Sequence, residues 1–258
     1  MDGIEAPEIS IVLPVRNGAN FLGQALESAL VQDYPSYEII VGINPSTDST
    51  LEVARRILGA EHPGIIVFED EVNMPQNFNR TAAQARGKYI KFLCHDDILK
   101  PSSLSTLVSE FHKKENLALV TSYESFLHGS KPSRRKASFG ESHYVGKIRS
   151  LFRFSKYQNW IGGPSGVMVR TEIFRRFQFD KTLPCAFDLD CWINISRFGS
   201  IAIVPEELYS SRIHSRQGTN ICAEGGFAQD LVQIWERNAK SSHFQSRLFF
   251  RKVPQLKI

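Results

Sequence analysis

The sequence predicts an α/β protein with a doubly wound, mostly parallel sheet. Three observations carry this. Short apolar runs alternate with helix-spaced patterns through the first half of the chain. The runs are apolar on successive residues, as in strands buried on both faces. Each pair of runs is separated by enough residues for a crossover helix, and such units wind right-handed.

Ile9 to Val15 is the first run, broken only by Ser10 and Pro14. From Phe21 to Leu30 apolar side chains fall at 21, 22, 25, 26, 29 and 30, which is one face of a helix. Glu38 to Ile43 is the second strand. Ser46-Thr-Asp48 offers capping oxygens to a helix that runs through Leu58. Gly64 to Phe68 is a third strand, and Pro75 to Arg86 a helix with Gly87 at its C′ position. Tyr89 to Leu93, a helix over Ser102 to Lys114, and Leu117 to Thr121 complete the regular half. Residues 123–146, rich in Ser, Lys, Gly and His, read as a mobile loop or insertion. Beyond them come a short basic helix from Lys147 to Phe154, a strand over Val167 to Arg170 and a helix from Thr171. Asp188 to Arg197 has helical spacing, Ile201 to Val204 and Leu208 to Ile213 read as two strands, and Phe227 to Arg237 as a terminal helix.

The 258 residues suffice for one domain with a full core, and 42% apolar with 22% charged content is that of a soluble globular protein. No apolar run approaches the roughly 20 residues that span a bilayer. Met1 to Glu8 carries acids and no apolar h-region, so no signal peptide is expected and the protein is expected in the cytoplasm. A net charge of +4 implies no polyanion field, and no nucleic-acid partner is expected. Cys94, Cys185, Cys191 and Cys222 form no C-x-x-C pair, which predicts reduced, mostly buried thiols rather than disulfides or a zinc site. Basic residues gather from Lys131 to Lys136 and from Arg247 to Lys257. They read either as solvated segments or as peripheral contacts for anionic lipid.

In a doubly wound sheet, ligands sit at the carboxyl ends of the strands. That points to Pro14–Asn17, Asn44–Asp48 and His95–Asp97. Adjacent Asp96 and Asp97 after an apolar strand are either an Asp-rich turn that caps the next helix or a pair of carboxylates for a divalent cation and a diphosphate.

Four segments decide between these. Ser10-Ile-Val-Leu-Pro-Val-Arg-Asn17, Pro45-Ser-Thr-Asp-Ser-Thr50, Ala85-Arg-Gly-Lys-Tyr-Ile-Lys-Phe-Leu93 with Asp96-Asp97, and Phe187-Asp-Leu-Asp-Cys-Trp192 occur in this order. Together they resemble the signature of family-2 glycosyltransferases, over roughly residues 8 to 217. The resemblance implies a single Rossmann-like domain of the GT-A fold over 1–217, its nucleotide-sugar half about 1–122 and its acceptor half about 123–217. Residues 218–258 would form a C-terminal helical, basic tail.

The resemblance also implies roles. Pro14, Val15 and Arg16 match the loop that lines the base and ribose of a nucleotide sugar, and Asn79 an asparagine near the nucleotide. Asp96 would lie near the ribose, and Asp97 would hold Mn2+ or Mg2+ on the diphosphate. Asp188 matches the catalytic base, with inversion at the anomeric carbon. Asp190, two residues on, points elsewhere on a helix. Arg212 approaches the diphosphate, and His214 is either a metal ligand or structural. Trp160 either stacks on an acceptor sugar or belongs to the core.

Some positions depart from the pattern. Ile43 and Asn44 stand where many members carry two acids, although Asn44 still offers an amide to base or ribose. Cys94 replaces the first acid of a longer Asp motif, and Phe78 an Arg. No Gln-x-x-Arg-Trp follows residue 200, which implies single addition rather than processive synthesis. The expected partners are a nucleotide-sugar donor, UDP-linked first, and a saccharide or lipid-linked saccharide acceptor of cell-surface polysaccharide or glycolipid synthesis. The competing reading is a degenerate, non-catalytic nucleotide-sugar-binding or scaffolding subunit.

Overall fold

A computed structural model describes residues 6–128, 131–134, 144–157, 159–215, 217, 222, 225–242 and 250. Its strands are β1 (Ile9–Val15), β2 (Tyr37–Ile43), β3 (Ile65–Val67), β4 (Tyr89–Phe92), β5 (Ile98–Leu99), β6 (Leu117–His128), β7 (Lys131–Arg134), β8 (Tyr144–Val145), β9 (Val167–Arg170) and β10 (Ser200–Arg212). Its helices are α1 (Ala19–Leu30), α2 (Thr50–Leu58), α3 (Met74–Ala82), α4 (Ser103–Lys113), α5 (Lys147–Tyr157), α6 (Thr171–Arg176), α7 (Phe187–Ile195) and α8 (Gly226–Ala239).

The strands form a 10-stranded sheet in the order β3-β2-β1-β4-β9-β6-β10-β5, with β7 on β6 and β8 on β10. β3, β2, β1 and β4 are mutually parallel, as are β6 and β10. β9 runs antiparallel to both β4 and β6. The sheet is therefore doubly wound but mixed at its centre.

Side chains alternate between two cores, one on each face. Ile11, Leu13 and Val41 meet Leu22 and Leu26 of α1 and Leu107 of α4 on one face. Val12, Ile90 and Phe92 meet Phe78, Phe174, Trp192 and Trp235 on the other, so α3, α6, α7 and α8 cover that side.

The structure corrects four expectations. Residues 123–146 are not one loop: β6 runs on to His128, and β7 and β8 add edge strands, with 129–130 and 135–143 outside the described residues. The two late strands are one strand, β10, with register shifts around Val204 and Glu207. Pro205, which has no N–H for a ladder, sits within the shifted stretch and made one strand read as two. The third helix ends at Ala82, and Gly87 is not its C′ residue. Gly87 instead presses on β1, where a Cβ would stand 2.7 Å from the Ile9 carbonyl carbon and the Ser10 nitrogen. Finally, Cys185 and Cys222 form a disulfide across a sequence separation of 37. That spacing carries no local signature. The fold closes it by setting the turn before α7 against the approach to α8, where Asp230 accepts from the Cys185 and Ala186 amides at 2.8 and 2.9 Å. Cys94 and Cys191 are free. Of the expected tail over 218–258, α8 and a few further residues are described; the basic stretch from Arg247 to Lys257 lies outside the described residues except Phe250, which packs on Trp235.

Candidate functional site

β1, β2 and β4 end along one rim, and the segments leaving β1 and β2 are laced together. Asn17 Oδ1 accepts from Thr47 N at 2.8 Å, Asn17 N donates to Ser46 Oγ at 3.0 Å, and Ala19 N donates to Asp48 Oδ2 at 3.0 Å. Asn17 holds φ of 48°, a left-handed conformation that asparagine tolerates. Pro14 and Val15 are buried, whereas Arg16 turns outward onto Glu71 at 2.8 Å.

The two asparagines expected at the nucleotide are engaged within the chain. Asn44 is buried, and its amide exchanges hydrogen bonds with the Val72 backbone at 2.8 and 3.2 Å and accepts from Arg80. Asn79 does the same with the backbone of Phe179, at 2.8 and 3.0 Å. Asn44 shapes the loop before α3, and Asn79, on α3 itself, shapes the loop between α6 and α7.

Asp96 and Asp97 lie where β4 gives way to β5. The Asp97 carboxylate accepts from Arg212 N at 3.2 Å and from the Ser165 hydroxyl. It is only 7% exposed, and burial, followed by the charge of Asp96, pushes it up to about 7. Asp96 Oδ2 lies 2.9 Å from His214 Nε2, so His214 meets Asp96 rather than Asp97. The Arg212 guanidinium donates to the Asp96 carbonyl at 3.2 Å and lies 4.7 Å over the Phe21 ring.

Ligand atoms of Cys94, Asp96 and Asp97 all lie within 4.8 Å of one another. A buried carboxylate beside a second one is costly to ionise, and a bound cation would offset that cost. Oxygen donors of this kind suit Mg2+ or Mn2+. Burial pushes the Cys94 thiol well above its usual range, so it stays neutral and adds little for a hard cation. The two aspartates, with His214 beside them, fit the expected metal.

Two contributors were not singled out from the sequence. Ser165, in the 3-10 turn Pro164–Gly166, accepts from Cys94 N at 2.9 Å besides donating to Asp97. Lys91 is 1% exposed inside β4, donates to the Phe92 carbonyl at 2.8 Å and to the Ser165 carbonyl, and is pushed down to about 7 by burial. A lysine amid Tyr-Ile-Lys-Phe-Leu was the available signal for Lys91. Nothing marked Ser165.

Asp188 lies in the first turn of α7. Its Oδ1 accepts from Leu189 N at 2.7 Å and its Oδ2 from Asn159 Nδ2 at 2.8 Å. Burial raises it to about 6 despite these donors. Asp190 faces a separate neighbourhood, accepting from Asn194 Nδ2 at 2.9 Å. Trp160 is core, 6% exposed and 5.3 Å from Phe154 between ring centroids, and offers no open face to a sugar.

A model of the family described as glycosyl transferase family 2 matches residues 10–183. An uncharacterized glycosyltransferase of Rickettsia prowazekii is 28% identical over 218 residues, which cover 84% of this chain and 67% of that protein. Chondroitin synthase of Pasteurella multocida is 32% identical over 114 residues, 44% of this chain and 12% of its own. Among solved structures, S. aureus TarS 1-349 in complex with UDP-GlcNAc superposes with a TM-score of 0.76 at 16% identity, over 93% of this chain and 69% of that one. The mannosyltransferase PcManGT of Pyrobaculum calidifontis, in complex with GDP-Man and Mn2+, does so with a TM-score of 0.66 at 15% identity, over 96% and 69%.

Proposed function

Because the chain belongs to glycosyl transferase family 2, we propose that it moves one sugar from a nucleoside-diphosphate sugar to an acceptor hydroxyl with inversion. The observation that carries this is the shared rim: Asp96, Asp97, Arg212 and His214 stand together, and a half-buried Asp188 is held beside the turn that supplies Ser165. TarS with UDP-GlcNAc and PcManGT with GDP-Man and Mn2+ support a nucleotide-sugar donor and a divalent metal. A UDP-sugar is the first donor to test.

Pro14, Val15 and Arg16 line the nucleotide, with Asn44 and Asn79 holding the loops around it. Asp96 and Asp97 would hold the cation, with His214 orienting Asp96. The cation supplies charge neutralisation on the diphosphate. Arg212 adds a guanidinium on the same side. Asp188 takes the proton of the acceptor hydroxyl. That oxygen bonds to the anomeric carbon from the face opposite the diphosphate. The bond from the anomeric carbon to the diphosphate oxygen breaks, and its electron pair leaves with the diphosphate.

The acceptor proposed is a saccharide, free or lipid-linked, in cell-surface polysaccharide or glycolipid synthesis. No helix among the described residues is long and apolar enough to cross a membrane. The basic helix α5, with Ile148 59% exposed, supports peripheral contact with a lipid surface.

A thermal-shift panel tests the donor site with UDP-, GDP-, CMP- and dTDP-sugars, each with and without Mn2+. A ligand at about 100 times its dissociation constant stabilises the fold by roughly 2.7 kcal/mol. The expected result is a metal-dependent shift with one nucleotide, lost in Asp97→Ala and kept in Asp188→Asn. Transfer by Asp188→Asn should fall at least about a hundredfold. Absence of a shift with every nucleotide would overturn the donor site.

A further inference from the structure

We propose that Asn159 is the positioning residue for Asp188, acting through its own side-chain amide. The inference rests on the reading of Asp188 as general base.

Asn159 uses both ends of its amide. Nδ2 donates to Asp188 Oδ2 at 2.8 Å, while Oδ1 accepts from Gly162 N at 3.1 Å. The second contact fixes the orientation of the amide. Exchanging O and N would set a donor against the Gly162 N–H and an acceptor against the carboxylate. Gly162 has φ of 95°, which lets the chain fold back onto Asn159. α7 holds the same turn again through Trp192, whose Nε1 donates to the Gly162 carbonyl at 3.1 Å. Trp192 is four residues beyond Asp188 and so on the same helix face. From β6, Thr121 Oγ1 donates to the Ile161 carbonyl at 3.0 Å. The segment ends at Ser165, which holds Cys94 N and the Asp97 carboxylate.

One braced span of backbone thus joins Asp188 at one end to Asp97 at the other. Leu189 N–H takes a lone pair on Oδ1 of Asp188, Asn159 takes one on Oδ2, and the residue's own N–H adds a third donor, which leaves at least one lone pair of the four for an acceptor hydroxyl.

The Asn159 donor favours the ionised carboxylate, and burial opposes it. On α7, Asp190 turns to Asn194 and the Cys191 thiol donates to the Phe177 carbonyl, although burial, and then the charges of Asp190 and Asp188, hold that thiol neutral. Arg153 of α5 lies over the Trp160 ring, and Arg237 and Asp230 of α8 meet Asp180 and the Cys185–Ala186 amides. Removing the Asn159 amide therefore leaves burial opposed by the backbone N–H groups of Leu189 and Asp188 alone.

Titration of protein labelled with 13C at the aspartate carboxyls tests this without an acceptor. The Asp188 resonance is assigned by its loss in Asp188→Asn. In Asn159→Ala it should titrate about one pH unit higher than in wild type. In Thr121→Val, which loosens the same turn without touching Asp188, it should not move. An unmoved resonance in Asn159→Ala, or an equal shift in Thr121→Val, overturns the proposal. Should Asn159→Ala fail to fold, Asn159→Ser carries the same expectation. Undiminished sugar transfer by Asp188→Asn would remove the base assignment instead, and leave the titration result standing.

Discussion

Asp190 stands two residues beyond Asp188, yet the helix turns it toward Asn194 rather than toward Asn159. It is 8% exposed, and burial raises its pKa to about 6, with Arg237 and Arg197 pulling the other way. In the unfolded chain the same carboxyl titrates near 4. Between these values the folded state binds the extra proton, so Asp190 takes stability away as pH rises through that window. Asp190→Asn removes the effect. Its melting temperature should gain on wild type between about pH 4 and pH 6, and parallel curves would refute the assignment. At this scale the sequence was informative where chemistry was concentrated. Asp96, Asp97, Arg212 and His214 do gather at one place. Ser165 and Asn159 escaped notice because a serine in a turn and an asparagine in a loop are ordinary, and only tertiary contact gives them a role.

Among the elements, most of the first half of the chain was legible to within a residue or two, because strands buried on both faces announce themselves as apolar runs, but the end of α3, the short β5 and the length of β6 were not. β1 coincides with its expected span, and β9 with the later run at Val167–Arg170. The errors fell where tertiary contacts override a local signal. Gly87 looks like a helix terminator but is small because β1 passes against it. Gly87→Ala should lower stability by about 1–3 kcal/mol, the usual effect of forcing extra volume into a packed site. A denaturation midpoint equal to wild type would show that the strands part freely there. The reversed strand β9 was also invisible as such, since an apolar run does not disclose its direction.

For the molecule as a whole, the Cys185–Cys222 bond ties the approach to α7 to the approach to α8. Cross-linking a loop of this length stabilises a chain by about 3–4 kcal/mol on the entropic model. Cys185→Ser should melt earlier than wild type by that margin, and the difference should vanish when both are measured with a reductant. Equal melting without reductant would show that the bond contributes nothing to stability. Disulfides are uncommon in reducing compartments, so the same comparison bears on the expectation of a cytoplasmic enzyme.

The reversal of β9 has one more consequence. β4 ends where β9 begins, so the chain leaves the sheet and re-enters it along a single rim. Cys94 to Asp97 and Asn159 to Ser165 are both rim segments, whereas among the described residues the opposite rim, where Gly59 to Pro63 turns between α2 and β3, holds none of the proposed site residues. The two edges are therefore free to diverge at different rates: relatives can rewrite the far turns, or accept an appended module there, while the working rim stays under tight geometric constraint.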